Sequence, residues 1–298
     1  MSDARVLILG GVTASGKTQA AIALAQRFGA EIVGADSRQI YRGMPIGTAA
    51  PSAQERALVP HHLVEFLDPF ERYSAARYAQ DATAAIEGVL ARGRRAIVAG
   101  GTGFYLRALA GDVELAPQHD EALRERLARE AAVHPAPVLW EWLQLRDPQR
   151  AAALDPGDAY RIVRALEVAL SPNARAADGG SRTLRGAGIE FVKLFLDVPM
   201  ALVDARIAER ADRMLAQGLL EEAERVGSEA VAANAVGYPQ ALAYLRGWST
   251  RDELRGSLER ATRRYARRQR SWFAREPGMQ PVEPGRLAGA ARELLGWT

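Results

Sequence analysis

Val6-Leu7-Ile8-Leu9-Gly10-Gly11-Val12-Thr13-Ala14-Ser15-Gly16-Lys17-Thr18 is the stretch that decides the fold. Four consecutive apolar residues ending in glycines read as a buried strand, and Lys17 to Phe28, with Ala21, Leu24, Ala25 and Phe28 at helical spacing, reads as the helix that follows. Gly29 ends it. Gly11 to Thr18 fits G-x-x-x-x-G-K-[ST] in the strand–loop–helix context that motif requires. Glycines let the loop curl so that the N–H groups of Gly11, Thr13, Ala14, Ser15 and Gly16 point at phosphate oxygens near a helix N-terminus. Lys17 then supplies charge to the terminal phosphate, and the Thr18 hydroxyl can hold Mg²⁺.

Working outward, Glu31-Ile32-Val33 reads as a second strand running into Gly34-Ala35-Asp36-Ser37, and Ala96 to Ala99 as a third running into Gly100-Gly101-Thr102-Gly103. A helix is predicted from about Ser74 to Ala91, a further strand over Phe191 to Val198, and a long helix from Pro199 to about Val226. Alternating strands and helices predict an α/β protein: a P-loop, three-layer core built on a parallel sheet. Ligands of such sheets bind outside the carboxyl ends of the strands, so Asp36 and Thr102 are placed at the same crevice as the loop. Asp36 is open to three readings: a turn residue, a Mg²⁺ ligand, or a group facing whatever the loop holds. Thr102 is open to a capping role.

From about Asp112 to Arg185 the rhythm breaks, with helices predicted over Asp120 to Val133, Val138 to Leu145 and Asp158 to Leu170 and no convincing strand. Asp158 suits an N-cap, and Ile162, Leu166 and Leu170 form an apolar stripe with Arg161 and Arg164 opposite it. An all-helical insertion over 113–185 therefore divides the core into 1–112 and 186–298. Ser171 to Gly188 is rich in turn residues.

The 298 residues carry 39 Lys+Arg against 36 Asp+Glu and no Cys. Disulfides and thiolate metal sites are excluded. No apolar run approaches the ~20 residues that span a bilayer, and the short run after Arg5 lacks signal-peptide form, so a cytoplasmic protein with no membrane association is expected. Of the cations, 37 are Arg and only Lys17 and Lys193 are Lys. Arg246 to Arg275 holds ten Arg against Asp252, Glu253 and Glu259, a local +7 within a total of +3. Arg260, Arg263, Arg264, Arg267, Arg268 and Arg270 recur at helical spacing among Tyr265, Trp272 and Phe273, which fits either a solvated helix face or contacts to a polyanion such as an RNA backbone. His61-His62 reads as loop rather than metal site.

Taken in order, these segments resemble the tRNA dimethylallyltransferase family. The resemblance is carried by Gly11 to Thr18, Asp36-Ser37-Arg38-Gln39-Ile40-Tyr41, Ile46-Gly47-Thr48-Ala49, Gly100 to Tyr105, Arg161 to Glu167, Arg206-Ile207 through Arg210, Val236-Gly237-Tyr238, and Arg268-Gln269 with Trp272. It implies that the loop binds the diphosphate of dimethylallyl diphosphate, with Arg210 completing the site. The five-carbon group then passes to the N6 amine of the adenosine on the 3′ side of the anticodon. Asp36 matches the proton acceptor, and Thr102 the residue that holds Asp36 and the base in register. The resemblance also implies tRNA contacts from Ser37, Arg38, Gln39, Gly237 and Tyr238, from Arg124, Tyr160, Arg161 and Arg164 on the insertion, and from Arg263, Arg267, Arg268 and Gln269. A monomer is expected.

The sequence departs from the family pattern at Val12, where Pro is usual, at Ala50, where Lys is usual, at Pro239, and across Ser171 to Gly188. An ATP-dependent small-molecule or nucleoside kinase is the other use of the same loop. The +7 segment and the flanking Asp36 and Thr102 disfavour it.

Overall fold

The computed structural model describes residues 6–113, 121–171 and 182–298. In chain order the elements are β1 (Val6–Gly10), α1 (Lys17–Phe28), β2 (Ala30–Gly34), α2 (Pro45–Thr48), α3 (Ala53–Leu58), β3 (His61–His62), α4 (Ala75–Ala91), β4 (Arg95–Gly100) and α5 (Gly103–Ala110). Then come α6 (Glu121–Val133), α7 (Ala136–Arg146), α8 (Pro148–Ala152) and α9 (Ala159–Leu170). The chain continues through β5 (Phe191–Leu196), α10 (Met200–Ala216), α11 (Leu219–Val226), α12 (Tyr238–Leu245), α13 (Arg251–Phe273), β6 (Met279–Val282) and α14 (Leu287–Leu295).

Two compact units result, Met1–Val113 with Arg182–Thr298, and Glu114–Ser181. In the first, six parallel strands run in the order β3-β2-β4-β1-β5-β6. Val6, Leu7, Ile8 and Leu9 are fully buried, as a parallel strand covered on both faces requires. Register then sets the crevice: Gly10 pairs with Gly100 and Gly34 with Ala99, so the carboxyl ends of β1, β2 and β4 finish level. The second unit packs α6, α7, α8 and α9 around Leu127, Leu139, Leu143, Ile162 and Leu166. Asp158 caps α9, accepting the Arg161 N–H at 3.1 Å.

Several sequence expectations need correction. The helix predicted from Pro199 to Val226 is two helices, broken where Gly218 adopts φ 100°, a left-handed conformation that an L side chain resists. His61 and His62 lie on a two-residue edge strand instead of a loop. Met279–Val282 and Leu287–Leu295 add an edge strand and a helix that periodicity did not reveal. Val113 and residues 182–185 belong to the sheet-bearing unit, because Leu184 is fully buried there and its N–H bonds the Leu109 carbonyl at 2.8 Å. Asp120 and most of the turn-rich return lie outside the described residues.

Lys193, the polar interruption of the β5 run, is buried because its charge is met inside. Its Nζ bonds Asp112, Glu276 Oε1 at 2.8 Å and the Pro277 carbonyl at 3.1 Å, while Arg185 and Arg107 complete the neutralisation of Asp112 and Glu276. Burial raises the Asp112 carboxyl, but Lys193 and Arg185 outweigh it and hold the group below its ordinary range. Among the described residues no helix is long and apolar enough to cross a membrane.

Candidate active site

The loop after β1 winds through two left-handed residues, Ala14 at φ 61° and Gly16 at φ 86°, and the Ser15 N–H closes on the Val12 carbonyl at 3.2 Å. Such a winding turns successive amides to one side. Val12 itself is buried in the core, so its departure from Pro does not disturb the rim. Two arginines from α10 grip the loop. Arg206 Nη1 donates to the Ser15 carbonyl at 3.0 Å, and Arg210 Nη1 to Thr13 Oγ1 at 3.3 Å. Arg210 Nε and the Ser15 hydroxyl are buried without partners, leaving donors at the place where an anion would sit.

Lys17 and Arg210 stand together over this loop. Burial lowers the Lys17 pKa; the Asp36 carboxylate opposes the shift and Arg210 adds to it. Burial likewise pushes Arg210 down to about 10, again opposed by Asp36 and reinforced by Arg213, so Arg210 remains charged at neutral pH. A crowded, incompletely solvated pair of cations gains most from an incoming polyanion.

Asp36 sits at the end of β2, where its Oδ1 accepts the Arg38 N–H at 2.9 Å. Thr102 does not hold Asp36 through a side-chain bond. Its Oγ1 accepts the Ser37 N–H at 2.9 Å and meets the Ser37 hydroxyl at 3.3 Å, fixing the peptide that follows Asp36. Gly100 permits this closeness, since a Cβ there would lie 1.9 Å from the Ala35 carbonyl oxygen. Gly103 does the same for α13, as a Cβ would fall 2.1 Å from the Trp272 ring. Tyr265, which the sequence placed only among the clustered arginines, faces the same crevice; burial raises its pKa, and the charge of Asp36 adds to the shift.

Several residues expected to face RNA are committed elsewhere. Gln269 is buried, accepting the Thr13 N–H at 2.8 Å and donating to the Gly101 carbonyl at 2.8 Å. One loop amide expected for phosphate is thereby already occupied. Tyr238 is fully buried, its hydroxyl donating to Glu222 Oε1 at 2.7 Å, and Gly237 is buried beside it. Glu222, unmarked by any sequence motif, also accepts the Ile46 and Gly47 N–H groups at 3.0 and 2.7 Å. Gln39 donates to the Thr48 and Ala49 carbonyls. Arg263 and Arg267 both reach Asp204 on α10, at 3.7 and 3.1 Å. Arg268 is exposed, its guanidinium 5.7 Å from the Tyr265 ring centroid.

Ser37 and Arg38 remain half-buried at the crevice. On the helical unit Tyr160 is 81% exposed, Arg161 is exposed and pairs with Asp158 at 3.4 Å, Arg164 pairs with Glu167 at 2.7 Å, and Arg124 is half-buried. Pro239 occupies the first turn of α12, where a missing N–H leaves no bond unmade.

Against known proteins, the family model described as IPP transferase matches residues 39–276, and one described as isopentenyl transferase matches 4–59. The chain belongs to the tRNA dimethylallyltransferase family. It is 45% identical over 292 residues to the tRNA dimethylallyltransferase of Anaeromyxobacter dehalogenans, covering 95% of this chain and 98% of that one. To that of Geobacter sulfurreducens it is 39% identical over 288 residues, covering 95% and 93%. Among solved structures, the full-length tRNA isopentenylpyrophosphate transferase of Bacillus halodurans superposes with TM-score 0.70 at 31% identity, over 98% of this chain and 95% of that one. A eukaryotic dimethylallyltransferase described as acting on tRNA gives TM-score 0.76 at 25% identity, over 97% and 76%.

Proposed function

We propose that this member of the dimethylallyltransferase family transfers a dimethylallyl group from dimethylallyl diphosphate to the N6 amine of the adenosine 3′ to a tRNA anticodon, releasing diphosphate. The observation that carries the reading is the pair Lys17 and Arg210 over the loop, with the Asp36 carboxylate close enough to oppose both pKa shifts. Cations gathered at an anion-shaped loop suit a leaving diphosphate, and a carboxylate opposite them suits an acceptor that must lose a proton.

The balance is simple. The allylic C–O bond breaks and its electron pair departs with the diphosphate, where Lys17, Arg210 and the loop amides of Ala14 and Gly16 receive the growing charge. The adenine N6 lone pair forms the new C–N bond, and the N6 proton passes to Asp36. Thr102 fixes the Ser37 peptide and thereby the direction of Asp36. The target base must leave its stack to reach the crevice, as in other base-modifying enzymes.

A divalent cation, Mg²⁺, would screen the diphosphate. Among the described residues no cluster of three or more His, Cys, Asp or Glu is placed to hold a metal. The chain therefore offers the Thr18 hydroxyl, an oxygen donor suited to a hard cation that takes its remaining ligands from phosphate and water. The tRNA-facing set is completed by Ser37, Arg38 and Arg268 at the crevice and by Arg124, Tyr160, Arg161 and Arg164 on the helical unit. We infer a cytoplasmic monomer.

Incubating the protein and Mg²⁺ with radiolabelled dimethylallyl diphosphate or ATP, with and without total tRNA, tests the assignment. Label should enter tRNA from dimethylallyl diphosphate alone. Lys17→Ala should slow transfer roughly a hundredfold or more, the scale of losing one group that stabilises the leaving charge. Label transferred from ATP to a small molecule would replace this reading with a kinase.

A further inference from the structure

Beyond its first residue, Arg251, the arginines of α13 divide into two groups. Arg255, Arg267 and Arg270 meet Asp212, Asp204 and Asp197 at 2.6 to 3.1 Å, holding α13 against α10 and the end of β5, while Arg263 pairs with Glu259 of its own helix at 2.9 Å and reaches Asp204 at 3.7 Å. Arg260, Arg264 and Arg268, spaced four apart on one exposed face, have no ion pair among the described residues. They form a cationic line about 12 Å long, taking 1.5 Å per residue. One end lies at the crevice, where Arg268 stacks near Tyr265 and Gln269 grips the loop.

At the other end stands Trp248. It is 72% exposed, one of the largest apolar side chains left in solvent, and the Arg246 guanidinium lies 5.1 Å from its ring centroid. Its backbone is fixed from both sides. Gly247, at φ 74°, ends α12 with its N–H on the Tyr244 carbonyl while the Trp248 N–H reaches the Ala243 carbonyl at 3.0 Å, the Schellman pattern. Two residues later Thr250 and Glu253 form the capping box that starts α13. Beside the ring opens a hollow of about 400 Å³, lined in part by Pro239, Ala243, Ser249 and Arg260. The Ser249 hydroxyl is buried there without a partner, and the carboxylate at the rim, Glu253, is engaged by the cap.

We propose that Trp248 is a stacking platform for an unpaired nucleotide of the bound RNA, with Arg246 and Arg260 on its phosphates and Arg264 and Arg268 tracking the strand back to the crevice. This rests on the tRNA reading above and assigns it a new contact. An aromatic face beside a line of unneutralised guanidinium groups is the arrangement that binds single-stranded nucleic acid. The net positive charge argues against a second copy of this chain, whose identical patch would repel it. Because the ring is held on capped backbone, little ordering accompanies binding.

Binding of an unmodified tRNA transcript, titrated over a range of salt with Mg²⁺ fixed, separates the contributions. Trp248→Ala should weaken binding by roughly 5- to 100-fold with the salt slope unchanged, the scale of one lost stacking contact. Trp248→Phe should restore most of the affinity. Arg260→Gln with Arg264→Gln should lower the log–log slope by ~1.4 to 1.8, two phosphate contacts. Affinity for dimethylallyl diphosphate alone should be unaffected in every variant. If wild-type protein binds tRNA but the Trp248 and Arg260/Arg264 variants match it in affinity and slope, the platform is wrong while the proposed function stands; absence of tRNA binding by the wild type would remove both. Self-association lost in Trp248→Ala, with tRNA affinity intact, would make this face a protein interface and overturn the proposal.

Discussion

Gln269 and Thr13 are 256 residues apart in sequence and are joined by a 2.8 Å hydrogen bond, the side-chain carbonyl accepting the loop N–H. The same amide donates to the Gly101 carbonyl, so a single side chain of α13 ties the ends of β1 and β4 together. Gly101 leaves room for it, because a Cβ there would lie 2.3 Å from Gln269 Nε2. Gln269→Leu keeps the bulk and removes both bonds, leaving two backbone groups unpaired. Stability should fall by about 2 to 6 kcal/mol, at 1 to 3 for each orphaned group, and KM for dimethylallyl diphosphate should rise. Thermal unfolding with steady-state kinetics checks this; an unchanged KM would mean the loop does not depend on the tie.

Arg263 and Arg267 sit in the most basic segment, yet both reach Asp204, and Arg263 is paired with Glu259 as well. Replacing both by Gln should lower the melting temperature by loosening α13 from α10. The salt slope of tRNA binding should change by less than about 0.7, the value of a single phosphate contact. A larger change in slope would return these residues to the RNA face.

Gly47 and Tyr238 explain each other. A Cβ on Gly47 would fall 2.5 Å from the Tyr238 ring, and Glu222 binds both residues. Gly47→Ala should therefore cost about 1 to 3 kcal/mol as an overpacking change. Tyr238→Phe should cost about 1.5 to 3 kcal/mol through the lost hydrogen bond to the Glu222 carboxylate. Neither should alter tRNA affinity in the folded protein, and a weakened tRNA complex at unchanged stability would show that Tyr238 reaches the RNA.

Glu31 on β2 is buried and bonds Arg92 at 2.7 Å and His62 at 2.8 Å. Burial raises its carboxyl, but the Arg92 guanidinium and the His62 hydrogen bond prevail and hold its pKa below the ordinary 4.5. A carboxylate depressed in the folded state contributes stability that is complete above the unfolded value and fades as pH falls through the folded one. Glu31→Gln should thus be less stable than wild type at pH 7, and the difference should close as the pH drops below about 4. Urea unfolding at a series of pH values measures it; a constant difference would contradict the ion pairing.

The first strand, the loop and α1 were legible because their signals are local: an apolar run, glycines at required positions, and a helical stripe. The paired motifs were legible only as patterns. Nothing in the sequence says that Gly103 exists for Trp272 or that Gln269 occupies the Thr13 amide, since those contacts join residues more than 160 apart. Clustered arginines likewise gave the charge of α13 but not its division, because the neutralising Asp204 and Asp212 come from another helix. Glu222 carried no signal, being one acid among several on an amphipathic helix. β6 escaped because Met-Gln-Pro-Val has neither length nor alternation.

The general-base role of Asp36 is the central claim, and single-turnover kinetics of Asp36→Asn tests it most directly. Asn keeps the size of the side chain and an oxygen to accept the Arg38 N–H, so the turn and both substrate affinities should persist. With pre-bound tRNA and dimethylallyl diphosphate, the transfer step should slow by roughly 10²- to 10⁴-fold, and raising Mg²⁺ should not recover it. A transfer rate close to wild type, or one restored by Mg²⁺, would contradict the assignment and make Asp36 a turn residue or a metal ligand instead.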